Sequence, residues 1–423
     1  MQALLVLYMT HYLLLPGPAE TVVGLDAVRA AIEWFTGPLS TAALSSQIFG
    51  LYTGLVYMTP LLGGIVADRW LPRTLTVTIG ALMMAAGHFL MALEATFFFA
   101  LALLLMGVGC FKGNIAGQVG ALYERDDLRR ATAFQIFQLA ISTAVIVSPL
   151  VCGTLGEKVG WHFGFGAAGV GMLIGLAVYL HGRKWLPQHQ PLIAAEPGTR
   201  TSLSRDEWKT TLVLVAMLPI LAAALLGNQQ MFNMFIVWGE ANFDLQFLGY
   251  EMPVTWLLSI DAAIAVILLS LAIVFWRWYG QRWKEPEDIV KIAIGAGIMA
   301  SAPLLLMIAC LQQVPGTRIS LGWGLAFEIA NETGFVILVP IALSLFSRAA
   351  PKQIEGLTIG MFYLAFFLCN VVVGRLGGLL EQMDAADFWL MHAVIVGGAA
   401  AVLAGLALWG RGLFGPVESP LAS

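Results

Sequence analysis

Eleven stretches of this chain stay apolar for about twenty residues or more, and few folds are open to a polypeptide built that way. They cover 41–67, 74–93, 97–121, 132–156, 163–181, 211–238, 254–276, 289–312, 321–346, 356–380 and 388–410. A bilayer core is about 30 Å thick and is crossed by a helix of about 20 apolar residues. With no water there, only helices and closed barrels satisfy their own backbone N–H and C=O groups. The pattern predicts an all-α integral membrane protein. Composition agrees: 59% of the 423 residues are hydrophobic and 11% charged, a balance a soluble surface does not provide. A net charge of -4 argues against nucleic acid as a partner and leaves the lipid bilayer as the expected environment.

A twelfth apolar run, Met1–Leu15, is too short to span alone. It has no basic segment ahead of it, and Pro16-Gly17-Pro18-Ala19 is a poor cleavage site for a signal peptide. The expectation is one part of a transmembrane helix whose remainder lies upstream of Met1. Charge placement fits twelve spans. Only Arg29, Lys112, Lys158, Arg318 and Arg375 fall away from the connections that follow alternate spans and the tail, leaving 17 of the 22 basic residues on one side. The positive-inside rule makes that side, and both termini, cytoplasmic, in a multi-pass protein of the inner or plasma membrane. The polar stretch 183–210 then divides a first six-helix bundle (1–182, first helix incomplete) from a second (211–412), followed by a cytoplasmic tail (413–423). Two six-helix halves joined by a polar linker are the layout of major-facilitator transporters, with the binding site midway between them. In the 16–40 loop, Leu25, Val28, Ile32 and Phe35 suggest a short surface helix, with a plain loop as the alternative.

Ionisable groups inside spans are functional candidates because the bilayer penalises them. The chain has Lys112 in 97–121, Asp261 in 254–276, and Glu328 and Glu332 four residues apart on one face of 321–346, with Asn331 beside them. They read as a proton relay or substrate contacts, or else as structural ion pairs. Glu332 is the deepest and the main candidate to carry a proton, assisted by Glu328 or Asp261, with Lys112 as countercharge. Uncharged polar residues form a second layer: Asn228, Gln229, Gln230 and Asn233 in 211–238, Gln135, Gln138 and Ser142 in 132–156, and Tyr57 in 41–67. These either bind substrate or hold helices together. Gly63-Gly64 and Gly377-Gly378 permit close helix packing. The four cysteines have no metal-ligand spacing, no glycine-rich run follows a strand, and no Walker A, HExxH or GxSxG pattern occurs. No cofactor, metal or enzyme activity is expected.

The segment Gly64-Ile65-Val66-Ala67-Asp68-Arg69-Trp70-Leu71-Pro72-Arg73 resembles the major-facilitator loop motif, in which Asp and Arg pair across a cytoplasmic gate; Pro72 stands where a glycine is usual. Three longer stretches, YMTPLLGGIVADRW, MGVGCFKGNIAGQVGALYERDDLRRATAFQIF and PLVCGTLGEKVGWHFGFGAAGVGM, together resemble the proton-dependent oligopeptide transporter (POT) family, and IGMFYLAFFLCN, with Phe362, does so more loosely. The resemblance implies import of di- and tripeptides with protons by alternating access, in a monomer. It implies substrate contacts at Tyr57, Lys112, Asn114, Gln138, Gln229, Gln230, Asn233 and Phe362, and a gate at Gly64, Asp68, Arg69 and Arg73. Trp238 also matches. The departures are specific. Gly113 replaces a proline, Gln229 stands where the family has a glutamate, and Gln138, Ser142 and Ala144 break a signature. Phe335, three residues beyond Glu332, holds another glutamate position, and the family's ExxER element would precede Met1. The alternatives are a carrier of another small amphipathic solute, or a non-transporting or degenerate member.

Overall fold

The computed structural model describes residues 2–123, 129–186, 204–247, 249–349 and 355–409. The chain starts as α1 (Gln2–Tyr8), widens into a π-type turn at Met9–Leu13, and crosses the following loop with α2 (Leu25–Thr36). The long helices are α3 (Thr41–Arg69), α4 (Arg73–Leu90), α5 (Phe97–Ala121), α6 (Arg129–Ser148), α7 (Trp161–Gly182), α8 (Arg205–Ala224), α9 (Trp256–Gly280), α10 (Asp288–Gln312), α11 (Leu321–Ala349), α12 (Glu355–Gly377) and α13 (Ala385–Trp409). Among the described residues, ten helical stretches are long and apolar enough to cross a membrane. Residues 74–93, expected as an eleventh, form α4. At 18 residues it is the shortest long helix, and Arg73, three threonines and His88 dilute its apolar content. The fold is all-α and membrane-spanning, apart from one small antiparallel ribbon pairing Gln246–Phe247 with Tyr250–Glu251.

Local chemistry sets the helix ends. Ser40 accepts a hydrogen bond from the Ala43 N–H at the start of α3, satisfying a donor the first turn leaves free. Ser204 and Glu207 form a reciprocal capping box at the start of α8. The expected helix in the 16–40 loop is α2, with Leu25 and Ile32 buried; Phe35, expected on that face, is 86% exposed. α1 is embedded rather than peripheral. Leu4 to Met9 are all at most 2% exposed, and the Tyr8 ring lies 5.1 Å from Phe165.

The reading of 211–238 as one continuous span is corrected. α8 ends at Ala224, and the chain continues through Leu226–Gln230, a π-type turn Met231–Phe235 and Ile236–Asn242. Asn233, at φ -117° and ψ -106°, interrupts the helix. Side-chain amides in this segment bond to other helices, which gives the chain an alternative to a regular ladder. The linker expected at 183–210 falls, over 187–203, outside the described residues, as does the tail.

Successive long helices run antiparallel. One end of the bundle therefore gathers the end of α3, the starts of α4 and α6 and the end of α9, with Arg69, Arg73, Arg129 and Arg277. α3 packs on α5 and α12, α9 on α6 and α11, and α10 on α11 and α13. Two glycines of α3 permit its close backbone contacts with α5 and α12. A Cβ on Gly63 would stand 1.9 Å from the Gly109 carbonyl oxygen of α5, and one on Gly50 would stand 2.4 Å from the Asn370 carbonyl oxygen of α12. Gly64 meets nothing within 4 Å, so Gly63 is the packing member of that pair.

Gly63→Val should therefore destabilise the bundle by about 1–3 kcal/mol, the usual range for overpacking. Gly64→Ala should leave the thermal unfolding midpoint in detergent unchanged or slightly raised.

Candidate functional site

A cavity of about 690 Å³ lies among α3, α6, the broken segment after α8, α9 and α11. That volume suits a small solute. Its polar lining includes Tyr57, Gln138, Ser142, Asn228, Gln229, Asp261 and Glu332, and among the described residues no Lys, Arg or His lines it. Tyr57 is held by stacking on Phe366 at 4.8 Å.

Glu332 projects from α11 and is 3% exposed. Its Oε1 accepts from Asn228 Nδ2 at 2.7 Å. Beyond Asn228 the bonds continue in one direction. Gln229 Nε2 donates to Asn228 Oδ1 at 2.8 Å, Asn370 Nδ2 to Gln229 Oε1 at 3.0 Å, and Thr53 Oγ1 to Asn370 Oδ1 at 2.9 Å. Four side-chain bonds thus join α11 to α12 and α3. Glu328, one turn away from Glu332, is fully buried with neither oxygen hydrogen-bonded, and Asp261 of α9 leaves Oδ1 unpaired. Among the described residues no Lys or Arg forms an ion pair with any of the three. Three carboxylates in a low-dielectric site without a cation repel one another, and protonation relieves that repulsion. The group is chemically equipped to take up and release protons.

The other expected site residues are spread more widely. Lys112 is exposed, with Nζ 5.5 Å from the centre of the Tyr57 ring, outside the cavity lining. Asn114 is committed to packing, donating to Gly63 O at 3.1 Å and to Cys110 O at 2.9 Å. Asn233 donates to Ser46 Oγ at 2.7 Å and pins the broken segment to α3. Gln230 is fully buried with both amide atoms unpaired. Phe362 is 1% exposed and packs against Phe346 and Phe366. Of the gate residues, Arg69 ends α3, the Arg73 guanidinium lies against Gly117 of α5, and the Asp68 side chain lies outside the described residues. Sequence reading missed Asn370 and Thr53. The available signal was Asn370 itself, the one carboxamide in the apolar stretch 356–380.

The end of the bundle opposite the basic connections is latched. Glu157 accepts from the N–H groups of Val254 and Thr255 at 2.9 and 3.1 Å and from Thr255 Oγ1 at 2.5 Å, just before α9 begins. A carboxylate at that position also meets the positive end of a helix dipole. Trp256 Nε1 donates to Thr154 Oγ1 at 2.8 Å, and Ser259 Oγ to the Ile146 carbonyl at 2.7 Å. His11 pairs with Glu240 at 2.9 Å, and Ser40 bonds to Glu381.

Hydrogen bonds to a charged group contribute about 1.5–3 kcal/mol each, so Glu157→Ala should raise the population open at this end about tenfold or more. Spin labels at the exposed positions Val159 and Tyr250 report it as a second, longer distance. An unchanged distance distribution rules out the latch.

Comparison with known proteins places this geometry in context. The family model described as POT family matches residues 74–204. A di-/tripeptide transporter of Lactococcus lactis subsp. cremoris is 24% identical over 448 residues, covering 87% of this chain and 88% of that protein. The peptide transporter YePEPT of Yersinia enterocolitica is 26% identical over 415 residues, covering 80% of each. Among solved structures, the fold is similar to that of peptide transporter POT in complex with sulfate. Its TM-score is 0.80 at 21% identity, over 96% of this chain and 94% of that one. It is likewise similar to a POT family transporter in complex with 5-aminolevulinic acid, with TM-score 0.78 at 18% identity, over 96% and 92%.

Proposed function

We propose that this chain, which belongs to the POT family and is a membrane transport protein rather than an enzyme, imports di- and tripeptides together with protons. The observation that carries the reading is the cavity, where amides, an aromatic hydroxyl and two carboxylates converge inside the membrane-spanning bundle. The amides of Gln138 and Gln229 suit the peptide group, which offers one donor and one acceptor. Asp261 and Glu332 suit a substrate ammonium and, between substrates, a proton. Glu332 is the proton carrier in this reading, assisted by Glu328 or Asp261. Lys112, at the rim beside Tyr57, serves the substrate carboxylate rather than acting as the buried partner of Glu332.

Transport then proceeds by alternating access between 1–182 and 211–412, with the present conformation closed at the end opposite the basic connections. The excess of Lys and Arg makes that closed end extracytoplasmic. The chain acts as a monomer in the cell membrane with its C-terminus in the cytoplasm. A second reading, carriage of another amine-bearing solute, is favoured by the lining itself, which among the described residues has two carboxylates and no basic residue.

The test is uptake of labelled dialanine into proteoliposomes with and without an inward proton gradient. Glu332→Gln should bring the ratio of the two rates to unity, and a ratio like the native protein's overturns the proton assignment. Competition by many unrelated dipeptides supports peptide import, whereas competition by a single amine-bearing compound supports the second reading.

A further inference from the structure

The hydrogen-bond chain from Glu332 to Thr53 reaches well beyond the cavity, and its last two members line no part of it. Thr53 and Asn370 are 2% and 1% exposed, on α3 and α12, at the level where Gly50 brings those helices into backbone contact. We propose that Thr53 and Asn370 are positioning residues for proton coupling, reporting the protonation of Glu332 to the contact between α3 and α12 through the reversible polarity of the amide chain. The proposal rests on the reading of Glu332 as the proton carrier.

The argument is one of donors and acceptors. An ionised carboxylate only accepts, so ionised Glu332 must receive the Asn228 Nδ2–H. That fixes each following amide: oxygen toward Gln229, nitrogen toward Asn228, and so on, until Thr53 donates to Asn370 Oδ1. A protonated carboxyl has a hydrogen to give. If it donates to Asn228 Oδ1, three amides turn over in sequence. Asn228 then donates to Gln229, Gln229 to Asn370, and Asn370 to Thr53 Oγ1, whose hydroxyl turns to the Phe49 carbonyl already 2.7 Å away. A turned-over carboxamide keeps nearly the same shape, so both polarities fit the same packing.

The two polarities differ at α12. In the first, Asn370 Nδ2 bonds both Gln229 and the Phe366 carbonyl, at 3.0 and 2.9 Å. In the second, the bond to Phe366 is lost and Asn370 donates across to α3 instead. Proton occupancy on α11 thereby alters how α12 is tied to α3. Among the described residues, the charged groups facing Glu332 are Asp261 from α9 and Glu328 on α11 itself, while Lys112 of α5 reaches only the Tyr57 ring. The broken segment and α12 contribute only amides to the chain, so any field from those groups acts at its Glu332 end.

The experiment uses the full chain in proteoliposomes, with dialanine uptake measured as the ratio with and without a proton gradient. Thr53→Val replaces the hydroxyl with a methyl at nearly equal volume. Its ratio should fall about tenfold, as expected for one buried hydrogen bond of about 1.4 kcal/mol. Infrared difference spectra between low and high pH supply a readout that packing alone does not move. The protonated carboxyl band that disappears in Glu332→Gln should shift in Thr53→Val. The exchange variant Thr53→Asn with Asn370→Thr restores the pair and should recover both signals, and it serves if a single variant fails to fold. A native ratio and an unshifted band in Thr53→Val overturn the relay while Glu332→Gln still loses its gradient response. Retention of that response in Glu332→Gln overturns the proton-carrier reading and the relay with it.

Discussion

Within a bilayer, a polar side chain has no water to fall back on, so its partner must be another part of the same protein. The central architecture of this chain follows from that constraint. Asn228, Gln229 and Asn233 each bond to a side chain, those of Asn228 and Asn233 lying on other helices, and the segment carrying them does not continue as a regular helix. The partners are Glu332 on α11, Asn370 on α12 and Ser46 on α3, so one irregular segment draws three helices together. The polar atoms left unpaired on Glu328 and Asn331 of α11 and on Gln230 of the broken segment belong to fully buried residues, and there the constraint is least satisfied.

The long helices were legible because length and apolarity are properties of a local stretch. The same holds for the surface helix after Gly24. What sequence could not supply was partnership across distance. The amides between 228 and 233 are visible as a row, but the bond from Gln229 reaches a residue 141 positions away and the bond from Asn233 one 187 positions away. Nothing local says that Asn114 spends its amide on Gly63, or that Lys112 lies over Tyr57 rather than inside the cavity. Between Gly63 and Gly64 the deciding fact is where α5 passes, which is again non-local.

The comparison with relatives has the same shape. At about a fifth identity the fold is retained over nearly the whole chain, since many apolar residues can fill a helix contact. Charged and hydrogen-bonding positions are less interchangeable, and those are where this sequence departs from the pattern it resembles. Gln229 is the clearest case. A carboxylate there would only accept, whereas an amide both accepts and donates, and only the latter continues a chain from Asn228 to Asn370.

The grip of Glu157 on the start of α9 has a consequence for leakage. All three of its bonds go to two adjacent residues, Val254 and Thr255, at a single point just ahead of α9. Separation by an ångström or so weakens all three together. The Glu157 grip is therefore lost in one step rather than by degrees. In the proposed alternating-access cycle, losing that grip in one step would shorten the time this end stands ajar and so limit the slip of small ions between one solute and the next.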